Sequence, residues 1–481
     1  MRDVLNTDDA DVIEGYLTDA SNTRGTADRL VIPRSTAEVS AVVAHCQTHA
    51  IPLTVTAQRT STTGGPVPSG GWLLSMEKLN RVHAPDDVDG GVILGAHQAE
   101  LLQQGLYFPP DPTSRHECSV GAAIACNASG ARSFRYGSAR PWVKAVEWVL
   151  PTGEVRWVDR DTPIPAEWPR VRWTEPGVKT AAGFFPADNA LDLVIGSEGA
   201  LGVITRAKLK LDRAPDGVLG LIVFFPDEAT TVAFVNEARR GANRRGVGGE
   251  PGALSPTAIE YFDHHALRLA SDRIPDLPAE ARAALFIEVE HHGEPPLDQW
   301  WDAIVASDAL ADHTIVADDE TGRRRLHAVR HAIPASVNET VVANGMPKVG
   351  TDFAVPDSAL EAIMAVYQTV TLPSVCFGHI GDNHLHLNLL PRTPEELATA
   401  RAEYVRLAHE AVRLGGTVSA EHGIGKIKRS LLADMVGPDV LESFQRLKHH
   451  LDPNWVLGRG TMLAPPSEGL DISEAFRVYS K

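Results

Sequence analysis

An alternation of polar and apolar residues near the C-terminus constrains the fold of this 481-residue chain more than any other feature. Starting at His384 the sequence reads His-Leu-His-Leu-Asn-Leu, and side chains two positions apart on a β-strand share a face. The pattern predicts a strand with His384, His386 and Asn388 on one face and the leucines turned into a core. Residues 381–383, Gly-Asp-Asn, have turn composition, so the chain should fold back and bring His379 near His386.

A second glycine-rich stretch, Ser-Ala-Glu-His-Gly-Ile-Gly at residues 419–425, adds a carboxylate to these histidines. Two neutral imidazoles and one carboxylate suit a borderline divalent ion such as Zn, Mn or Fe. The sequence therefore predicts a metal site formed by His379, His386 and Glu421. The alternative is that these histidines, among the 19 in the chain, only satisfy backbone groups in a core.

Composition argues against several other classes of protein. A chain of this length is too long for a single core, so two or three domains are expected. The net charge of −17 argues against nucleic acid as a partner, and no apolar run reaches the roughly 18 residues of a transmembrane segment. The four cysteines form no CxxC pair, which argues against an iron–sulfur cluster or a disulfide framework. Without a signal-peptide core at its start, the chain is expected to be cytoplasmic, and peripheral attachment to a membrane is left open.

The N-terminal region is predicted to contain a β-α-β unit. Residues 30–33 and 51–55 have strand composition, and Ser35 and Glu38 form a capping box for the helix between them. The loop after the second strand, Ala-Gln-Arg-Thr-Ser-Thr-Thr-Gly-Gly at 57–65, lacks the GxGxxG of a Rossmann fold. Its amides and hydroxyl groups nevertheless suit a diphosphate, with an ordinary surface loop as the alternative.

Small residues dominate two further segments, 119–130 and 135–137, where they would let the backbone approach a flat ligand closely. Residues 143–150 predict a buried strand that ends in the hairpin turn Pro-Thr-Gly-Glu at 151–154. A glycine-framed turn lies within 195–204, and after residue 215 the sequence changes to alternating strands and charged helices. A domain boundary is therefore expected near that point.

Four motifs, in order along the chain, carry a resemblance to a known group of enzymes. The chain resembles the flavin-dependent oxidoreductases of the vanillyl-alcohol-oxidase superfamily, in particular D-lactate dehydrogenase, the glycolate oxidase flavin subunit and D-2-hydroxyglutarate dehydrogenase. The resemblance extends from residue 31 to residue 454. The motifs that carry it are Pro110-Asp111-Pro112, Gly196-Ser197-Glu198-Gly199-x-Leu201-Gly202, Gly378-His379-x-Gly381-Asp382 and Glu421-His422-Gly423-x-Gly425.

This resemblance implies an α+β fold in three parts. Residues 1–213 would form a two-subdomain FAD-binding domain of the vanillyl-alcohol-oxidase type, residues 214–416 an α+β cap over the flavin ring, and residues 417–481 a segment that completes the active site. FAD would be bound without a covalent link, because the loop at 57–63 contains no histidine where flavinylated relatives carry theirs.

The resemblance also assigns residues to the cofactor. Thr60, Ser61, Gly64 and Gly65 would bind the diphosphate, and Arg59 would either pair with it or point outward. The residues that would line the flavin and the ribityl chain are Ser114, Ser119, Gly121, Asn127, Gly130 and Ile204. The remaining cofactor positions are Pro110, Asp111, Tyr136, Gly137, Glu198, Gly199 and Gly202.

The implied reaction oxidises a D-2-hydroxy acid of the D-lactate, glycolate or D-2-hydroxyglutarate type to the 2-oxo acid by hydride transfer to flavin N5. The metal would bind the hydroxyl and a carboxylate oxygen and lower the pKa of the alcohol. His422 would accept the hydroxyl proton, and Arg330 would bind the substrate carboxylate with two hydrogen bonds. Lys348 and Asn388 would support them. For Arg330 and Lys348 a solvated charge is the alternative.

The chain departs from the family pattern at three places. The usual RGxGTS of the diphosphate loop is Thr-Ala-Gln-Arg-Thr-Ser at 56–61, and the usual LNPG is Leu-Gly-Arg-Gly at 457–460. The usual GDGNLH has become Gly-Asp-Asn-His-Leu-His at 381–386, which adds His384 to the predicted site without assigning it a role.

Two other functions stay open at this point. A phenol or alkyl-alcohol oxidase of the same superfamily would not need the two histidines and the glutamate. A non-redox relative, such as an ether-lipid synthase, or a subunit that acts only within a complex would also share the fold. The electron acceptor is left open among a quinone, a cytochrome and an electron-transfer protein, and so is a homodimer.

Overall fold

The capping, strand and turn predictions for the N-terminal region are confirmed in a computed structural model of the chain, which describes residues 4–274 and 276–465. Ser35 caps the helix that follows it by accepting a hydrogen bond from the amide of Glu38. The predicted hairpin pairs Val143–Val149 with Val155–Asp159 in antiparallel register. Local sequence patterns are therefore sufficient to determine these elements.

Eleven strands are described before residue 214: β1 (Leu5–Thr7), β2 (Arg29–Ile32), β3 (Leu53–Thr56), β4 (Trp72–Ser75), β5 (Val82–Ala84), β6 (Asp87–Asp89), β7 (Leu106–Tyr107), β8 (Val143–Val149), β9 (Val155–Asp159), β10 (Val203–Leu209) and β11 (Asp212–Arg213). The α-helices described in the same region are α1 (Ala10–Glu14), α2 (Thr36–Thr48), α3 (Leu94–Gln103), α4 (Val120–Ala125), α5 (Ser133–Tyr136) and α6 (Ala190–Val194).

These strands form two main sheets and one short pair. The first sheet has the order β1-β2-β4-β3, and both β2 and β3 run parallel to β4, as a β-α-β unit requires. Helix α2 buries Val39, Val42 and Val43 in the core beneath this sheet. The second sheet is antiparallel with the order β5-β6-β10-β8-β9, and β7 pairs with β11.

The strands between residues 214 and 416 are β12 (Gly217–Phe225), β13 (Ala258–Asp263), β14 (Ala283–His291), β15 (Ile315–Ala317), β16 (Val349–Gly350), β17 (Phe353–Ala354), β18 (Ser374–His379) and β19 (His384–Leu389). The α-helices described there are α7 (Glu228–Arg239), α8 (His264–Leu269), α9 (Leu297–Ala306), α10 (Glu320–Asn344), α11 (Leu360–Gln368) and α12 (Pro394–Arg413).

All of these strands belong to one sheet with the order β15-β12-β14-β13-β18-β19-β16, in which β17 also pairs with β19. Both faces of the sheet are covered. In β12, Leu219 and Leu221 pack into the larger core, whereas Ile222 and Phe224 pack on the opposite face with residues of α8 and α10. Strand pairing thus changes from two sheets to a third after residue 213, near the predicted boundary of the cap.

The β18–β19 hairpin has the register that the alternation predicts. His379 pairs with His384 and Phe377 with His386, and the turn between the strands ends at Asn383 in the left-handed region (φ +53°). The leucines of β19 are buried in the core on the other face. The period of two therefore determines which side chains of the hairpin meet.

The last part of the chain returns to the first domain. It contains α13 (Arg429–Val436) and α14 (Pro438–Leu451), and Leu457 then forms a bridge with Leu53 of β3. Residues 466–481 of the predicted C-terminal segment lie outside the described residues. Across the described ranges, no helix combines the length and the apolar character that a membrane span requires.

Candidate functional site

Three histidines and one glutamate converge at the end of the β18–β19 hairpin. His379 ends β18 and faces His384 at the start of β19, and His386 follows two positions later. Glu421 comes from the segment after α12. One donor atom from each of these four residues lies within 4.8 Å of the other three. The hairpin thus brings the predicted metal ligands together, and His384 lies among them.

Glu421 lies between the imidazoles. Its Oε1 is 3.5 Å from Nε2 of His379 and 3.7 Å from Nε2 of His386, and its Oε2 is 3.9 Å from Nδ1 of His384. Lys179 donates a hydrogen bond to Oε2 over 2.8 Å. Burial would raise the pKa of Glu421, but Lys179 and His379 outweigh it and hold that pKa well below its usual value. The carboxylate is therefore ionised, as a metal ligand must be.

In two of the histidines, the outer ring nitrogen, which is the one that points away from Glu421, makes a hydrogen bond. His379 donates its Nδ1–H to Glu260 over 2.5 Å, and His386 donates its Nδ1–H to the carbonyl oxygen of Thr351 over 2.9 Å. Both rings consequently turn Nε2 toward Glu421. An acceptor behind the imidazole fixes its tautomer and orientation, and this arrangement is typical of metal-binding histidines.

The three imidazoles differ in protonation. Burial lowers the pKa of His384 to about 4, with Lys179 adding to the effect, and burial also holds the pKa of His386 well below its usual value. Burial would lower the pKa of His379 too, but the Glu260 carboxylate outweighs it and raises that pKa to about 9. Two rings are thus neutral donors at pH 7, whereas a metal ion would have to displace a proton from His379.

Asp352 holds the 419–425 segment against the hairpin. This carboxylate is buried and accepts hydrogen bonds from the amides of Glu421 and His422 and from Nζ of Lys428. Its Oδ2 lies 3.4 Å from Nδ1 of His422. Burial would raise the pKa of Asp352, but His422 and Lys428 outweigh it and keep that pKa well below its usual value. An ionised carboxylate therefore stands behind the predicted base.

The other predicted catalytic residues lie around this cluster. Arg330, in α10, donates Nη2–H to Glu260 over 3.2 Å, and its buried Nε has no hydrogen-bond partner within the described residues. Asn388 follows His386 on the same face of β19 and donates its side-chain amide to the His386 carbonyl oxygen. Lys348 immediately precedes β16, which pairs with β19, and burial lowers its pKa. Glu260 therefore links Arg330 directly to the histidine cluster.

The predicted diphosphate loop lies against the turn that follows Glu421. The Thr63 hydroxyl donates a hydrogen bond to the carbonyl oxygen of His422 over 3.3 Å. The Thr63 carbonyl oxygen accepts hydrogen bonds from the amides of Lys426 and Ile427. Two segments far apart in sequence, the loop at 57–65 and the turn after Glu421, are thus in direct contact.

The loop has the donors that an anionic group requires. The backbone amides of residues 59–62 donate no hydrogen bond within the described part of the chain, and Thr60 and Ser61 add two hydroxyl groups. The Ser61 hydroxyl already accepts a hydrogen bond from the Thr63 amide, whereas the row of free amides suits a phosphate. Arg59 has a left-handed backbone (φ +59°), and its guanidinium lies 4.5 Å from the ring centre of Tyr16. The loop therefore fits the FAD diphosphate through its backbone, and the Arg59 side chain is turned onto Tyr16.

Several predicted cofactor residues have partners within the protein. Glu198 accepts the amides of Ile424 and Gly425, and burial raises its pKa to about 7. Burial likewise raises the pKa of Asp111 to about 6. Two backbone carbonyl oxygens accept hydrogen bonds, that of Pro110 from Gln98 and that of Ser114 from the Cys118 amide. Two side chains accept backbone amides: the Ser119 hydroxyl accepts that of Ala122 at the start of α4, and Asn127 accepts that of Arg140. The Tyr136 hydroxyl donates to Glu290.

The predicted cofactor glycines lie where backbone or side chains approach closely. A Cβ on Gly121 would lie 2.7 Å from Gly90, and one on Gly130 would lie 2.1 Å from Asp111. A Cβ on Gly202 would lie 1.9 Å from Trp148. The other positions are Gly64, Gly137 and Gly199 with φ between +73° and +75°, Gly65 beside Glu198, and Ile204 opposite Trp148 in the sheet. Contacts within the protein therefore already account for part of the small-residue pattern, independently of any bound ligand.

Sequence reasoning missed three residues of the site: Lys179, Glu260 and Asp352. Glu260 interrupts the apolar strand β13 and is 4% exposed, and a carboxylate in such a strand is the one signal that could have identified it. Lys179 and Asp352 lie in short segments without a motif. Both reach the cluster only through tertiary contacts.

Two family models match the chain. A family model described as FAD linked oxidases, C-terminal domain, matches residues 222–462, and a model described as FAD binding domain matches residues 27–159. The protein named probable D-lactate dehydrogenase, mitochondrial, of Danio rerio is 30% identical over 91% of this chain and 84% of its own length. Glycolate oxidase subunit GlcD of Bacillus subtilis is 27% identical over 93% and 91% of the two chains.

Among solved structures, alkyldihydroxyacetonephosphate synthase superposes with a TM-score of 0.64, over 94% of this chain and 81% of that one. At 15% identity this likeness shows the fold alone. It agrees with the predicted α+β architecture of an FAD-binding domain and a cap. Together with the matched family models, these similarities show that the chain belongs to the FAD-linked oxidases, flavoprotein oxidoreductases of the vanillyl-alcohol-oxidase superfamily.

Proposed function

We propose that this chain oxidises a D-2-hydroxy acid, of the D-lactate, glycolate or D-2-hydroxyglutarate type, to the 2-oxo acid with dissociable FAD and a divalent metal ion, Zn, Mn or Fe. The observation that carries the proposal is the adjacency of the His379, His386 and Glu421 cluster to the diphosphate loop, through the contact of Thr63 with His422. Relatives named for D-lactate and glycolate support the substrate class.

When bound, FAD would supply a hydride acceptor and the metal ion would supply a Lewis acid. His379, His386 and Glu421 are the residues that would hold the metal, and the loop at 59–65 would hold the FAD diphosphate. The neutral state of His386 and the ionised state of Glu421 support this assignment, because a metal binds only deprotonated ligands.

Arg330 is proposed to bind the carboxylate of the substrate. A guanidinium carries five N–H donors, and within the described residues Arg330 uses one nitrogen, Nη2, for Glu260. Its Nε has no partner within the described residues, which supports a role in binding the carboxylate of the substrate in addition to that of Glu260. Glu260 would then position both Arg330 and His379, which couples binding of the acid group to the metal site.

His422 is proposed to remove the proton from the substrate hydroxyl. Its side chain is 35% exposed, its Nδ1 lies 3.4 Å from Oδ2 of the ionised Asp352, and its Nε2 lies 3.7 Å from Oε1 of Glu421, so Nε2 is directed toward the proposed metal site, where the substrate hydroxyl would bind. A carboxylate behind the imidazole orients the ring and stabilises its cationic form after proton transfer. Lys348, which immediately precedes β16, and Asn388, on the neighbouring strand β19, are proposed to assist in positioning the substrate.

Anaerobic reduction of the purified flavoprotein tests this function. We expect D-lactate, glycolate or D-2-hydroxyglutarate to bleach the flavin absorbance, L-lactate to act more slowly than D-lactate, and vanillyl alcohol to have no effect. Metal analysis of the same sample should find a divalent ion. Bleaching by vanillyl alcohol, with no response to any 2-hydroxy acid, would instead identify an alcohol oxidase of the same fold.

A further inference from the structure

We infer that His384 is a fourth protein ligand of the metal, so that this chain binds the ion with three imidazoles and one carboxylate. The inference rests on the proposed function, because it concerns the same metal. It goes beyond that function, because the predicted site consists of His379, His386 and Glu421 alone.

The burial of His384 is the first argument. Its side chain is fully buried, with 0% of its surface exposed; Nε2 lies 3.0 Å from Oδ1 of Asp352, whereas Nδ1 has no hydrogen-bond partner within the described part of the chain. A buried polar atom without a partner is unfavourable, and native proteins rarely leave one. A metal ion within the cluster would provide the missing partner.

The direction of the ring is the second argument. The His384 ring centre lies 4.3 Å from that of His386 and 5.3 Å from that of His379, and Nδ1 faces Oε2 of Glu421. His384 therefore presents one nitrogen to the same centre as the other two histidines.

A carboxylate oxygen also lies behind the His384 ring, on the side away from Glu421. Nε2 of His384 lies 3.0 Å from Oδ1 of Asp352. Glu260 and Thr351 occupy the same relative position behind His379 and His386. All three imidazoles thus have an oxygen on the outer nitrogen and Glu421 on the inner one, which is the arrangement of ligating histidines.

A purely structural role for His384 would account for only one of its two ring nitrogens. Pairing with Asp352 would involve Nε2 and leave Nδ1 buried without a partner. Asp352 is also already engaged by Lys428, Ser419 and two backbone amides, so it does not need His384 for its own stabilisation. Metal ligation involves both nitrogens, and we therefore favour it.

A fourth protein ligand also restricts the choice of metal. A 2-hydroxy acid that binds through its hydroxyl and one carboxylate oxygen needs two further coordination positions. Zinc, which prefers four ligands, would have none left, whereas Mn²⁺, Fe²⁺ and Co²⁺ accept six. The site is therefore expected to function with a six-coordinate ion.

The test uses the FAD-loaded protein, stripped of metal and titrated with Co²⁺. Metal affinity is measured by competition with a chelating dye, and proton NMR counts the exchangeable imidazole N–H signals that the paramagnetic ion shifts. We expect three such signals in the wild type and two in His384→Asn. The metal affinity of His384→Asn should be at least about 10–100-fold weaker than that of the wild type, because loss of a residue that only hydrogen-bonds to a ligand already has an effect of that size. His409→Asn, an exposed histidine on α12, should match the wild type.

His386→Asn separates failure of this inference from failure of the metal site. If His386→Asn weakens Co²⁺ binding and His384→Asn does not, His384 is not a ligand, while the site of the proposed function stands. If neither substitution changes the affinity, the cluster does not bind the metal at all. The wild-type spectrum decides the point even if His384→Asn fails to fold, because two shifted signals instead of three would overturn the inference.

Discussion

Thr63 and His422 lie 359 positions apart in sequence and are joined by a hydrogen bond from the Thr63 hydroxyl to the His422 carbonyl oxygen. The bond connects the loop proposed to hold FAD with the residue proposed to remove the substrate proton. A tight turn reinforces it, because the Thr63 carbonyl oxygen accepts two amides from the segment after Gly425. Cofactor binding and the position of the base should therefore depend on each other.

Gly425→Ala tests this dependence. Gly425 has φ +53°, and a Cβ there would lie 2.1 Å from the Thr63 carbonyl oxygen, so the turn and the loop must separate. We expect FAD affinity to fall by about tenfold or more, equivalent to about 1.4 kcal/mol, together with a loss of activity. Fluorescence titration of the apoprotein with FAD measures the change.

Gly437→Ala is the matched control for that experiment. Gly437 also has a left-handed backbone, with φ +77°, but no heavy atom lies within 4 Å of its Cβ position. It should lose about 1–2 kcal/mol of stability through backbone strain alone and keep its FAD affinity. Equal FAD affinities in the two variants would show that the contact with Thr63 does not couple the two segments.

The sequence predicts the hairpin of the site well, and its surroundings poorly. Period-two alternation and a turn suffice to place His379, His384 and His386 together, because both act over a few residues. Glu260 contacts His379 across 119 positions, and no local pattern encodes such a pairing. The same limit applies to Arg59, which lies over the distant Tyr16.

Acid precipitation should release FAD from the protein. The loop at 57–63 contains no histidine, and the proposed contacts to the diphosphate are hydrogen bonds, which denaturation removes. We therefore expect the flavin absorbance in the supernatant and a colourless pellet. A yellow pellet after washing would indicate a covalent link at another residue.

Chelation should abolish turnover while FAD stays bound. The proposed ligands contact one another and Lys179, whereas FAD would be held by the loop at 59–65. His386→Ala should have the same effect, with metal affinity reduced about 10–100-fold or more. Flavin fluorescence and metal analysis before and after dialysis provide the measurement, and full activity in metal-free protein would remove the metal from the mechanism.

Arg330→Lys should raise KM for every 2-hydroxy acid. A lysine keeps the charge beside Glu260 but cannot form two parallel hydrogen bonds with a carboxylate. A charged hydrogen bond is worth roughly 1.5–3 kcal/mol, which corresponds to a rise in KM of about 10–150-fold. Arg324→Lys, an exposed position on the same helix, is the control. An unchanged KM in Arg330→Lys would place Arg330 outside the substrate site.

His384 and His422 are the two candidates for the general base, and their exposure distinguishes them. The His384 side chain is 0% exposed and faces Asp352 and the residues of the cluster, whereas that of His422 is 35% exposed. A base must pass its proton onward after each turnover. We therefore expect His384→Asn to act through loss of metal and His422 substitutions to act on the chemical step.

His422→Ala should lower kcat by about 10²–10⁴-fold, the usual contribution of a general base. The metal and FAD contents should be unchanged, because neither is proposed to depend on the imidazole. The half-exposed position leaves room for a small molecule, so free imidazole should restore part of the rate by accepting the proton in place of the side chain. His409→Asn, on the surface of α12, should show normal kcat and no response to imidazole.

A variant that loses activity without rescue, while also losing metal or FAD, would show that His422 only supports the structure of the site. A mild His422→Ala alongside a fully metal-loaded but inactive His384→Asn would transfer the role of base to His384.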